Sequence, residues 1–303
     1  MDVAITGASG LIGSALRTSL RADGHRVISL VRGAATGPDE VRWDPTGGEV
    51  DVGALAGVGA VVHLAGPGIG DKPWTDQRKR VLRDSRVDGT RTIAGAVAAL
   101  DPSPVLISAS GMDYYGDPGD REVTEDSPSG EGFLAALCRD WEAATGPAAD
   151  AGARVAHMRT SVVLSADGGA LPKIIAPFRF GVGGRLGRGD QWFSWITLND
   201  MVRAIRFLID HEISGPVNMC APGPVTNADL TKAIGRVLHR PTAVPVPGLL
   251  RKLPFGVGEL LDNLLFTGVR MRPAKLEAAG FDFHTRDIDA ALASVLGAQA
   301  PTG

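Results

Sequence analysis

The run Thr6-Gly7-Ala8-Ser9-Gly10-Leu11-Ile12-Gly13 has the make-up of a phosphate cradle. It follows the apolar run Val3–Thr6 and opens a helix-spaced pattern of Leu11, Ile12, Ala15, Leu16 and Leu20. Gly7 permits a tight strand-to-helix turn, Gly10 lets backbone approach a pyrophosphate, and Gly13 lets the helix close on the sheet. The helix N-terminus adds unpaired N–H groups and a partial positive charge. A glycine triad alone is weak evidence; the strand–turn–helix context gives it meaning. The pattern predicts that Thr6, Gly7, Ser9, Gly10, Leu11, Ile12 and Gly13 hold a dinucleotide.

Arg32 ends the next apolar run, RVISLVRG, with no carboxylate beside it. An Asp or Glu at that point would accept hydrogen bonds from a ribose 2′-OH, as NAD requires. A guanidinium instead suits a 2′-phosphate through charge-assisted bonds. One such bond contributes about 1.5–3 kcal/mol, roughly tenfold or more in affinity. The expected cofactor is therefore NADP(H) in preference to NAD(H).

These positions need a scaffold, and the chain supplies one. Apolar runs at Arg26–Val31, Val41–Trp43, Ala60–Ala65, Pro104–Ser110 and Arg154–Arg159 alternate with helical patterns at about 11–20, 76–100 and 131–150. Strands that are apolar throughout belong to a parallel sheet covered on both faces. The expected fold class is α/β, a Rossmann doubly wound parallel sheet with a smaller C-terminal substrate-side lobe. Residues 1–160 are read as the NAD(P)-binding domain. Residues 161–303 are read as a mixed lobe of which about 195–220 returns to the Rossmann core. Helical patterns in that lobe fall at about 198–211, 226–239 and 285–296, with prolines at 241, 245, 247 and 254 between them. The tail Ala298–Gly303 is expected to fray.

With TGASGLIG near its start, the chain resembles the extended short-chain dehydrogenase/reductases. HLAG at 63–66, SASGMDYYG at 108–116, Arg159 and WITLNDMVRAI at 195–205 match that family in order. RWDP at 42–45, LCRDWE at 137–142 and MRPAKLEAAGFDF at 271–283 resemble its NAD-dependent epimerase/dehydratase-like members with a C-terminal extension. The resemblance implies that His63, Leu64, Ala65, Gly66 and Ser108 line the cofactor. It also implies a catalytic Tyr with a Lys four residues on. Aligning the family's later Glu on Glu142 places Cys138 at the lysine and Leu134 at the tyrosine. The only tyrosines, Tyr114 and Tyr115, have no Lys four residues later. Without help a Tyr with pKa of about 10 is a poor acid–base group near neutrality. Ser110 is the candidate for the family's serine, with Ser108 second, and Tyr114 and Asp113 are candidates for proton transfer in place of the pair. His63 reads as a packed histidine more than a base. Trp74, Trp192 and Trp195 read as core, with a pocket wall as the alternative.

The 303 residues carry 31 Lys plus Arg against 34 Asp plus Glu, a formal charge of −3, with 44 % hydrophobic and 21 % charged residues. No basic excess points to nucleic acid. The Arg78-Lys79-Arg80 cluster is expected to be a solvated helix face. Cys138 and Cys220, both expected within regular elements, have no metal-binding spacing. The apolar runs fall short of the about 20 residues that span a bilayer. A cytoplasmic protein acting on a small molecule, without nucleic acid or membrane partners, is expected, with a homodimer as an option. Three readings remain open: an NADP(H)-dependent oxidoreductase or epimerase-like enzyme with a non-standard site, a non-catalytic dinucleotide-binding sensor or structural protein, and a hydride-only reductase of a quinone- or flavin-like acceptor.

Overall fold

In the computed structural model, whose described residues are 1–242, 254 and 256–297, the buried apolar runs become the strands of one sheet. Pro245, Pro247 and the tail Ala298–Gly303 lie outside the described residues. The strands are β1 (Asp2–Thr6), β2 (Arg26–Val31), β3 (Glu40–Asp44), β4 (Glu49–Val50), β5 (Val58–His63) and β6 (Val105–Gly111). Beyond the short β7 (Glu122–Val123) come β8 (Val155–Thr160), then β9 (Val162–Leu164), β10 (Trp192–Phe193), β11 (Trp195–Thr197) and β12 (Gly215–Met219). The sheet order is β12-β8-β6-β5-β1-β2-β3-β4, parallel throughout except for the β3–β4 hairpin. Chain order reverses beside β1, so the carboxyl ends of β1 and β5 flank a crevice where ligands of such sheets bind.

One face is covered by α1 (Leu11–Ala22) and α6 (Leu198–Asp210), which bury Leu16, Leu20, Met201, Ile205 and Leu208 on Val3, Ile5 and Val62. The other is covered by α2 (Asp76–Ala98), whose Ile93, Ala94 and Val97 pack on Ala4, Val61 and Leu106. The helix read over 131–150 is two helices, α3 (Phe133–Ala143) and α4 (Gly146–Asp150). Pro147 explains the break, because its ring would clash with the carbonyl of Ala143 in a continuous helix. Thr75, Thr197 and Thr226 cap α2, α6 and α7 (Asn227–Leu238) by accepting from the N–H three residues on.

The C-terminal lobe gathers α5 (Leu171–Arg179), α7, α8 (Val257–Leu261), α9 (Ala274–Ala278) and α10 (Ile288–Gly297). Leu171, Phe178, Leu230, Ile234 and Leu292 form its core around Trp195. Small pairs stitch it to the rest: β9 with β11, β10 with β13 (Val225–Thr226), and β7 with β14 (Arg270–Met271). Two buried carboxylates complete the attachment. Asp200 accepts from the backbone N–H groups of His284 and Thr285, both at 3.0 Å. Glu125 accepts from Asn218 N–H at 3.0 Å and Lys275 N–H at 3.2 Å.

Cys138 lies within α3, whereas Cys220 falls one residue past the end of β12. Trp195 and Trp74 are core residues, their indole N–H groups donating to the carbonyls of Gly223 and Ile69. Trp192 is half-buried and donates to Asp120. The Arg78-Lys79-Arg80 cluster is only partly a solvated face. Arg78 donates to Gly68 O at 2.6 Å and Lys79 pairs with Glu259 at 2.7 Å, because the start of α2 lies against the 66–71 loop and α8. Among the described residues no helix is long and apolar enough to cross a membrane.

Candidate functional site

The cradle is built as its glycines require. Gly7 has φ +67°, and a Cβ there would stand 3.0 Å from the carbonyl carbon of Leu64. Gly10 donates its N–H to Gly7 O at 2.9 Å and is the N-cap of α1, with no side chain capping the first turn. A Cβ on Gly13 would collide with the Gly7 carbonyl oxygen. Ser9 and Gly10 are exposed, Leu11 and Ile12 half-buried, and Leu11 packs beneath Gly169. The open N–H groups therefore face solvent at the crevice, which fits a pyrophosphate.

Thr6 gathers the second segment expected to line a cofactor. Its hydroxyl oxygen accepts from Leu64 N–H at 3.0 Å and Ala65 N–H at 3.2 Å, and lies 2.7 Å from His63 Nδ1. Two accepted bonds leave the hydroxyl proton for Nδ1, so the imidazole carries its own proton on Nε2. His63 is buried and meets Trp43 in a T-shaped contact. Burial lowers its pKa to about 4, which keeps the ring neutral. Gly66 is exposed, and Ser108 is buried beside His63 on the neighbouring strand. Arg32 is exposed just past β2, and among the described residues no hydrogen bond or ion pair engages its guanidinium.

The three residues singled out for chemistry point to different partners. Ser110 donates to Glu142 Oε1 at 2.7 Å. Glu142 in turn forms a two-point pair with Arg159, both bonds 2.9 Å. Arg159 also donates to Tyr115 Oη at 3.0 Å, and Tyr115 donates to Asn218 Oδ1 at 2.7 Å. Burial works against the Arg159 charge, yet its bonds to Glu142 prevail and its pKa is raised. Burial pushes the Tyr115 phenol up to about 12 despite Arg159. Tyr114 lies flat against this network, its ring centroid 3.4 Å from the Arg159 guanidinium carbon.

Asp113 turns the other way. Its Oδ2 stands 3.3 Å, and Cys138 Sγ 3.5 Å, from where a Cβ on Gly111 would be. Desolvation raises its carboxyl to about 6, opposed by its own backbone N–H and by the charge of Arg86. Cys138 is buried, its thiol pKa raised by desolvation first and by Asp113 second. Leu134 is packed among Trp74, Leu82 and Leu137. Sequence reasoning missed Arg86, buried beneath the Gly66–Gly68 loop. Its signal was an arginine between Leu82 and Thr90 on the inward face of α2. Among the described residues no group of three or more His, Cys, Asp or Glu could hold a metal.

A parallel sheet with a glycine cradle at its switch point defines a dinucleotide-binding Rossmann protein of the extended short-chain dehydrogenase/reductase type. Residues 3–220 match the NAD dependent epimerase/dehydratase family, and residues 246–295 match a domain of unknown function, DUF1731. The chain belongs to the NAD dependent epimerase/dehydratase family. It is 48 % identical over 291 residues to an epimerase family protein of Mycobacterium bovis, covering 96 % of each chain. The human epimerase family protein SDR39U1, crystallised with NADPH, is 29 % identical with TM-score 0.86, covering 98 % of this chain and 99 % of that one. A nucleoside-diphosphate sugar epimerase from Corynebacterium glutamicum is 41 % identical with TM-score 0.82. That match covers 98 % of this chain, which spans 58 % of the longer one.

Proposed function

We propose that the protein is an NADP(H)-dependent oxidoreductase that acts on a small carbonyl or alcohol substrate without a Tyr-x-x-x-Lys pair. The observation that carries this reading is the free Arg32 guanidinium at the end of β2, beside an uncapped glycine cradle. The NADPH in the human SDR39U1 structure supports the same cofactor. The bound dinucleotide supplies or accepts the hydride. Arg32 holds the 2′-phosphate and the α1 N-terminus holds the pyrophosphate. Asp113, whose carboxyl is raised to about 6, holds the proton that a carbonyl oxygen needs on reduction and regains it from water.

The test is an assay of aldehydes, ketones and quinones with NADPH, and of secondary alcohols and sugar nucleotides with NADP⁺. Asp113→Asn is expected to slow carbonyl reduction by roughly 10²–10⁴-fold, the usual worth of a placed acid. Turnover unaffected by Asp113→Asn removes Asp113 from the reaction. A second reading, hydride transfer to a quinone- or flavin-like acceptor with the proton from water, is favoured by Leu134, which fills the tyrosine position with packed apolar atoms. Quinone reduction insensitive to Asp113→Asn would select it. Tight NADPH binding with silence across the panel would select a non-catalytic binding protein.

A further inference from the structure

The loop that leaves β5 borders the cradle. Thr6 holds the N–H groups of Leu64 and Ala65, and the backbone of Leu64 lies against Gly7. Beyond them Gly66, Gly68 and Gly70 are exposed, and so glycine-rich a stretch has little conformational preference of its own. Three consecutive carbonyls are nonetheless held by side chains on α2 or just before it. Arg86 Nη2 donates to Pro67 O at 2.9 Å, Arg78 Nη2 to Gly68 O at 2.6 Å and Trp74 Nε1 to Ile69 O at 2.9 Å.

Trp74 is the hold that the C-terminal segment reaches. Its backbone N–H donates to Gly256 O at 3.2 Å. Gly256 has φ +75°, and a Cβ there would stand 2.5 Å from the Trp74 carbonyl oxygen, so both conformation and space demand a glycine. Glu259 on α8 takes Lys79 on both carboxylate oxygens, each at 2.7 Å. Leu260 packs on the buried cluster of Trp74, Leu82, Leu134 and Leu137. Further along, Gln191 Nε2 donates to Leu265 O at 2.9 Å and Ser194 Oγ to Val269 O at 2.6 Å, which fixes the same segment to the lobe. Residues 256–269 all fall within the match to the domain of unknown function. An apolar cover needs only contacts such as that of Leu260. A backbone bond, a two-point ion pair and a glycine fitted to one tryptophan instead set α8 in register with the residue that holds Ile69.

We infer that α8 of the C-terminal extension braces the dinucleotide site, with Trp74 as the positioning residue that carries the brace to the 66–71 loop; this rests on the NADP(H) reading above. A loop ordered before the ligand arrives costs less to order on binding. By linkage, docking of α8 strengthens NADPH binding, and NADPH binding strengthens the docking of α8 by the same factor.

The experiment is hydrogen–deuterium exchange of the full chain with and without NADPH, beside calorimetric titration. NADPH is expected to slow exchange in residues 7–13, 64–75 and 256–266 and to leave α10 unchanged. Trp74→Phe keeps an aromatic ring and the backbone bond to Gly256 but loses the hold on Ile69 O. It is expected to weaken NADPH and to abolish the ligand-dependent protection of 256–266. Gly256→Ala, which displaces α8 without touching the crevice, is expected to weaken NADPH by about tenfold, an ordinary coupling between two sites. Arg236→Ala breaks the ion pair with Asp289 elsewhere in the lobe and is expected to bind NADPH as wild type does. Protection of 7–13 without protection of 256–266 overturns the inference and leaves the NADP(H) reading standing. So does wild-type affinity in folded Gly256→Ala. If Gly256→Ala does not fold, the exchange patterns of wild type and Trp74→Phe decide. No NADPH binding to wild type defeats the NADP(H) reading and this one with it.

Discussion

Arg159 covers both carboxylate oxygens of Glu142, Nε on Oε1 and Nη2 on Oε2, and so closes β8 onto α3. Their side chains are 3 % and 12 % exposed. A buried pair is weak evidence for net stabilisation, but breaking one strands a charge. Glu142→Gln keeps the shape and removes the negative charge, and is expected to cost about 3–5 kcal/mol in urea unfolding at neutral pH. Ser110→Ala removes one hydrogen bond to the same carboxylate and is expected to cost about 1.5–3 kcal/mol. Equal losses in the two variants would show that Arg159 finds another partner.

Arg32 offers the cleanest test of cofactor choice. Arg32→Ala is expected to weaken NADPH roughly tenfold or more, by the worth of one charge-assisted bond. NADH affinity should stay as it is, because no 2′-phosphate is lost. Calorimetric titration of both dinucleotides decides the matter, and equal wild-type affinities for the two would refute a role for Arg32 in selection.

The cradle glycines divide into two kinds. Gly10 has φ −75° and ψ 174°, open to any residue, and a Cβ there meets Gly7 O at 3.3 Å. Gly10→Val is therefore expected to leave the fold intact and abolish dinucleotide binding, since its methyl groups occupy the phosphate side. Gly13→Ala places a Cβ against Gly7 O and 2.9 Å from Ala8 Cα. It is expected to destabilise the fold by about 1–3 kcal/mol or more, the usual cost of overpacking. Circular dichroism with thermal melts, run beside NADPH titration, separates the two. Native binding by Gly10→Val would move the cradle elsewhere.

Two desolvated groups set opposing pH dependences. The folded-state pKa of His63, about 4, lies below the ordinary imidazole value of 6.5 because burial disfavours the charged ring. The unfolded chain then binds more protons between those limits, so stability is present above 6.5 and is lost as pH falls, by about 3 kcal/mol. Asp113 is raised from 3.8 to about 6, so its contribution is present below 3.8 and lost as pH rises through 6. Asp113→Asn removes the second slope. The variant is expected to exceed wild type by about 3 kcal/mol near pH 7 and to match it near pH 3.5. Denaturant midpoints across that range test the sign. A variant less stable at pH 7 would mean that Asp113 is paired rather than desolvated.

The sheet could be read because its strands are apolar on both faces and the glycines mark one turn. Thr6, His63, Leu64 and Ala65 were chosen separately from the sequence, and one hydroxyl joins them. The break before Pro147 was missed because the apolar spacing continues across it. Arg86 was missed because a guanidinium bonded to main-chain carbonyls leaves no complementary acid in the sequence to point to it. Glu125 carries no local pattern either, since its backbone partners lie 93 and 150 residues on, and the Arg203 beside Asp200 gives no sign of the amides 84 and 85 residues on.

Those two carboxylates bear on the order in which the chain can be built. Asp200 leaves the ribosome well before the amides of His284 and Thr285 that satisfy it, a gap of 84 and 85 residues. At the usual elongation rates of about 5–20 residues per second, that is a wait of roughly 4–17 s. Through that interval the Asp200 carboxylate can keep Arg203 but lacks both amides, so its remaining lone pairs hold water at that end of α6. The seal at that end of α6 is thus completed only when the last segment arrives, and its timing is set by synthesis rather than by the speed of local collapse.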